Sequence, residues 1–198
     1  PLNVQQLKNI HFVVANKQEL AALTYATKRA LAKVLPTNAM NNINMSHFIA
    51  DNVAGNVEQR IATKDTKVEQ QRNPLLEQAD VVIATVDIKT ASLVDLGGMD
   101  DLTPSYGSAA QKYKKLTYAT LLKQQLTVAE QLKIATIVIA KGSPFLINEY
   151  RKLADAVLLN FDDRIYKNEH SQAISPGFNA SMAVVFDVSK ALGKLPVS

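Results

Sequence analysis

Residues 80–87 read DVVIATVD, an apolar and β-branched run bracketed by two aspartates. A strand with one wet face would alternate apolar and polar residues. This run does not, so it reads as a strand covered on both faces, the signature of a parallel sheet between two layers of helix. Three further stretches repeat the pattern. Ile10–Ala15 (IHFVVA) precedes the block, and Thr136–Ala140 (TIVIA) and Ala156–Phe161 (AVLLNF) follow it.

Between these strands the spacing changes from two to about 3.6. Asn16 with Glu19 three residues on gives a capping-box start. Leu20, Leu23, Thr27, Leu31 and Val34 then recur at helical intervals until Pro36 closes the segment. Val68, Leu75, Leu76 and Ala79 hint at a helix leading to Asp80. Leu116, Ala119, Leu122, Leu126, Ala129 and Leu132 mark a long amphipathic helix. In KGSPF, Ser143 suits an N-cap and Pro144 the first helical position, so a strand-to-helix turn is expected there. A last helix is expected over about 179–191, stopped by Gly193. Residues 37–66 are the least legible stretch, with Asn38, Asn41, Asn42 and Asn44 in a polar loop and a short helix or strand after it. Alternating strands and helices predict a three-layer α/β/α sandwich with a mainly parallel sheet and helices on both faces, as one domain over 1–198.

Composition narrows the function classes. The chain has 198 residues, 47% hydrophobic and 20% charged, enough for one well-buried core. No apolar run approaches the roughly 20 residues of a membrane span. The net charge of +4 is scattered, and Lys112, Lys114 and Lys115 read as a solvated helix entrance rather than a nucleic-acid patch. Absence of Cys removes thiolate catalysis and Cys-ligated metals. His11 lies inside the first strand, and His47 and His170 have no metal-ligand spacing. No phosphate loop, dinucleotide fingerprint or nucleophile elbow is present, and LGG at Leu96–Gly98 lacks the required spacing. No metal and no cofactor is expected. Without Trp, and with Phe and Tyr at 6%, a platform of stacked aromatics for sugars is not evident.

In open parallel sheets, ligands bind beyond the carboxyl ends of the strands. Those ends supply the candidates for substrate binding. Asp87 closes an apolar strand, either as a functional carboxylate or as an acceptor for a loop N–H. Lys89 follows it. Tyr106 sits in the long 88–114 connection as a stacking residue or a loop anchor. Asp162 and Arg164, with Asp163 between, follow the last strand as ligand contacts or as a local surface ion pair. Long loops of this kind are usually functional.

Read from its end, the chain resembles a known family. TIVIA, KGSPF, AVLLNF, the ISPG loop, the helix NASMAVVFDVSKA and the closing GKLPVS occur in the order of the C-terminal α/β sandwich domain of glycoside hydrolase family 3. The resemblance is specific over 134–198, looser over 79–133 and topological before that. It implies a C-terminal, non-catalytic or accessory module of a retaining O-glycosyl hydrolase, packed on an N-terminal (β/α)8 barrel of the same polypeptide. The barrel supplies the nucleophile and the carbohydrate contacts, and needs about 250 residues of its own. The branch with a Glu general acid/base on the loop after the DVVIATVD-like strand is a poor match, since only Asp87 stands there. The β-N-acetylhexosaminidase branch, with its acid/base in the barrel, fits better, so no catalytic residue is expected here beyond Asp87 as a weak acid/base candidate. Pro1 suggests a chain processed or excised from something longer. The resemblance favours a bacterial, extracytoplasmic setting. Its rival is a free-standing flavodoxin-like module that binds a small ligand or a protein.

Overall fold

The computed structural model describes residues 2–51, 74–88, 109–142 and 148–191. Within them, five strands form one parallel sheet: β1 (Asn9–Val14), β2 (Asn44–Ile49), β3 (Val81–Ile88), β4 (Ala135–Gly142) and β5 (Ala156–Asn160), in the order β2-β1-β3-β4-β5. The expected architecture is present. β2 falls in the stretch that was hardest to read; it is an edge strand whose burial alternates only loosely, so it lacks the continuous apolar run of β3.

The helices are α1 (Lys17–Val34), α2 (Thr37–Met40), α3 (Pro74–Glu77), α4 (Ala109–Gln131), α5 (Asn148–Arg151) and α6 (Pro176–Val185). Side-chain alternation along the strands divides the core into two layers. Ile10, Phe12, Val14, Ile83 and Ile139 face Leu23 and Leu31 of α1, and Phe178 and Met182 of α6. Val13, Val82, Ala84, Val138 and Ala140 face Leu122, Leu126 and Ala129 of α4. Each layer is buried because every second strand residue serves it.

Two acids fix the sheet's amino-terminal edge. Asp80 Oδ2 accepts from the backbone N–H of Lys8 and Asn9 at 2.7 and 2.8 Å. Asp155 Oδ2 accepts from Thr136 N–H at 2.8 Å. Each ties the start of one strand to the residue just before its neighbour.

Three expected boundaries move. The last helix starts at Pro176, because Ser175 accepts from Phe178 N–H at 3.3 Å and Pro takes the first turn. It stops at Val185, well before the expected 191. Val188 N–H bonds Ala183 C=O at 2.7 Å and Asp187 N–H bonds Val184 C=O at 3.1 Å. This is a Schellman stop with Asp187, at φ 58°, where a glycine is commoner. Gly193 therefore does not end this helix; it and the rest of 192–198 lie outside the described residues. Between β5 and α6 lies a two-strand antiparallel hairpin, β6 (Tyr166–Lys167) and β7 (Ala173–Ile174). β4 runs on to Gly142, so Lys141 belongs to the strand rather than to a turn.

Candidate functional site

The carboxyl edge of the sheet is where the sequence candidates were sought. Asn16, at the end of β1, caps α1 by accepting from Glu19 N–H at 2.9 Å. The same cap turns the Glu19 side chain inward. Its Oε1 meets Lys141 Nζ at 2.5 Å, and its Oε2 accepts from Thr85 Oγ1 at 2.8 Å and from Ala15 N–H at 3.4 Å. The side chains of Lys141 and Glu19 are only 7% and 9% exposed. From the opposite face, Tyr118 of α4 donates its phenol to Thr85 C=O. Burial pushes that phenol's pKa well above its ordinary value, and the charges of Glu19 and Asp87 add to the rise.

One carboxylate thus joins α1, β1, β3 and β4, and α4 clamps the same point of β3 from behind. A buried ion pair is not by itself strongly stabilising, but each member needs the other, because an uncompensated charge there is costly. The pair seals the space between β1, β3 and β4, where a parallel sheet of this strand order places its crevice.

Asp87 lies just above this seal. It is exposed at the end of β3 and stands opposite Lys141 in the β3–β4 register. Asp162 and Arg164 follow β5, and the surface ion pair expected of them is present. The guanidinium Nε and Nη2 meet the two carboxylate oxygens at 2.9 Å each, and Arg164 N–H adds a third bond at 3.1 Å. These bonds from Arg164 hold the Asp162 carboxyl down at about 2, and Arg164 is raised in return. β3 and β5 flank β4, so Asp87 and Asp162 stand at the ends of strands that are not neighbours in the sheet. Lys89, Tyr106 and the Ser143–Pro144 turn lie outside the described residues.

Beside Asp162, packing is tight. A Cβ on Gly177 would fall 2.1 Å from Asn160 Nδ2 and 2.4 Å from Asp162 C=O. Glycine is what lets α6 begin against the end of β5. Asn160 is buried, its Oδ1 accepting from Asp162 N–H at 3.0 Å while its Nδ2 has no hydrogen-bond partner.

The sequence reading put Lys141 in a turn at the carboxyl edge and missed its buried pairing with an inward-turned Glu19. A lysine directly after TIVIA was the available signal, since a charge inside a doubly covered strand must find a counter-charge. Nothing in spacing says which acid, because Glu19 lies 122 positions away. His11, inside β1, is fully buried with Nδ1 at 2.8 Å from Ser46 Oγ. Burial, with a smaller push from His47, lowers its pKa from 6.5 to about 4.

Among the described residues no cluster of three His, Asp or Glu could hold a metal, and no helix is long and apolar enough to cross a membrane. A cleft of about 480 Å³ opens at the opposite, amino-terminal edge, around Lys133, Thr136 and Asp155. A smaller one of about 240 Å³ lies between α1 and α6.

With this geometry in place, comparison with known proteins adds one relative. The chain is 28% identical over 125 residues to a Pseudoalteromonas piscicida protein named Beta-hexosaminidase A. The match takes in 62% of this chain but only 20% of that protein, so the chain spans about a fifth of the relative it matches. No family profile matches the chain. The similarity is thus to part of a protein that carries a glycosidase name.

Proposed function

We propose that the chain is the C-terminal α/β sandwich module of a family 3 glycoside hydrolase of β-N-acetylhexosaminidase type. It packs on, and supports, a (β/α)8 barrel that carries out the hydrolysis. The observation that carries the reading is the similarity to Beta-hexosaminidase A, confined to a fifth of that protein's length. The carboxyl edge is consistent with a supporting role. Retaining hydrolysis needs a nucleophile and an acid/base group on either side of one glycosidic bond, about 5–5.5 Å apart. Glu19 is committed to Lys141 and Thr85, and Asp162 to Arg164, so neither is set up as the partner of Asp87 across a glycosidic bond.

The test is the coding sequence before Pro1 and the activity of the longer product. A barrel with a KHFPGHG-like stretch, and hydrolysis of a chromogenic N-acetylglucosaminide that weakens when residues 1–198 are removed, is the expected result. A start codon at residue 1 would instead favour the rival small-ligand module, which draws on the β2-β1-β3-β4-β5 strand order shared with flavodoxin-like proteins.

A further inference from the structure

Helix α1 presents its charges unevenly. Its only acid, Glu19, is turned inward to Lys141, while Lys17, Lys28, Arg29 and Lys33 are exposed. Arg29 and Lys33 stand one turn apart on the same face, where like charges repel. Among the described residues neither side chain has a hydrogen bond or an ion pair.

Both line the cleft of about 240 Å³ between α1 and α6. Ala26 and Ala30 of α1 and Ala183 of α6 give it low, apolar walls, and among the described residues no carboxylate lines it. The acid next in the chain to a lining residue is Asp187, beside Val188, and it lies outside the lining. Asn179 supplies a third polar group. Its Oδ1 is buried without a partner, so its Nδ2 is the amide atom left for the cleft. The Ala183 carbonyl, which would oppose an anion, already accepts from Val188 N–H at 2.7 Å and Ser189 N–H at 3.0 Å.

We propose that this cleft binds a phosphate monoester. Two cations match the two charges of the dianion, whereas a carboxylate would leave one of them unanswered. The Arg29 fork can donate to two phosphate oxygens at once, with Lys33 as a point charge and Asn179 Nδ2 as a neutral donor. An anion between Arg29 and Lys33 also removes their mutual repulsion. Lys28, next to Arg29, adds to the positive field that draws an anion in. The alanine walls suit a short carbon chain. At about 30 Å³ per water the cleft holds about eight waters, room for a three-carbon ester but not for a nucleotide. Compensation of the helix end does not account for the pair, because only Lys33 lies in the last turn of α1.

The site draws on neither the sheet edge nor the glycosidase reading. The probe is glycerol 3-phosphate, titrated into the 198-residue chain at constant ionic strength while backbone amide NMR shifts are followed. Shifts centred on 26–33 and 179–188, saturating with a dissociation constant on the order of 1 mM, are expected. Arg29→Gln and Lys33→Gln should each weaken binding about tenfold with unchanged melting temperature, since a hydrogen bond to a charged group is lost. Lys17→Gln, about three turns away on the same helix, should leave binding unchanged. Glycerate, with one charge, should bind about tenfold more weakly or worse. Absence of saturable shifts at 26–33 and 179–188, an equal loss with Lys17→Gln, or equal affinity for glycerate overturns the site.

Discussion

The carboxyl ends of β4 and β5 are neighbours in one sheet and have opposite characters. At β4 a lysine is drawn inward and neutralised by Glu19, with Thr85 and Tyr118 completing the bonds. Just past β5 the ion pair lies at the surface, with the Arg164 side chain 79% exposed. One end spends its polar groups on holding strands together. The other pairs them at the surface. The apolar runs upstream, TIVIA and AVLLN, give little hint of the divergence; it arises one residue past each run, where Lys141 meets α1 and Phe161 is mostly exposed.

The sharpest way to break this contrast is to unpair the sealed end. Glu19→Ala or Lys141→Ala alone should cost about 3–5 kcal/mol, read as a fall in the urea midpoint, because each leaves a buried charge without its partner. Glu19→Leu combined with Lys141→Met should recover most of that loss. If the single variants are as stable as the parent, the seal is not what joins α1 to β3 and β4.

Acid gives the next largest effect. His11 is held neutral in the fold, with its pKa lowered to about 4, whereas an unfolded histidine titrates near 6.5. Between these values the unfolded chain binds the extra proton, so stability is full above about pH 6.5 and declines towards pH 4. The His11 contribution to that loss is about 3 kcal/mol. His11→Asn, which can still reach Ser46, should flatten this part of the stability–pH curve; an unchanged slope would show that another group causes it.

Gly177→Ala tests the packing of the open end. The added methyl meets Asn160 and the Asp162 backbone, so a loss of about 1–3 kcal/mol is expected, with a shifted α6 start. The smallest effect belongs to the exposed pair. Asp162→Asn or Arg164→Ala should leave the melting temperature unchanged at neutral pH, since exposed ion pairs contribute little.

The parallel sheet was legible because β1, β3 and β4 are buried along most of their length, and these strands and the edge strand β5 all write continuous apolar runs. β2 was not, because an edge strand needs neither alternation nor a full apolar run. The stop of α6 was misplaced because a Schellman turn at Asp187 uses a residue that tolerates φ > 0 without being glycine. At the site, Asp162 with Arg164 could be paired by their two-residue spacing. Glu19 with Lys141 could not, because the contact is made by the whole fold rather than by a local turn.

The most direct test of a supporting rather than a catalytic chain is hydrolysis by the pure 198-residue protein. With 4-nitrophenyl N-acetyl-β-glucosaminide as substrate, it should show no turnover above buffer, and Asp87→Asn should behave identically. Turnover by the parent chain that disappears in Asp87→Asn would place a reacting carboxylate at the end of β3 and contradict the account.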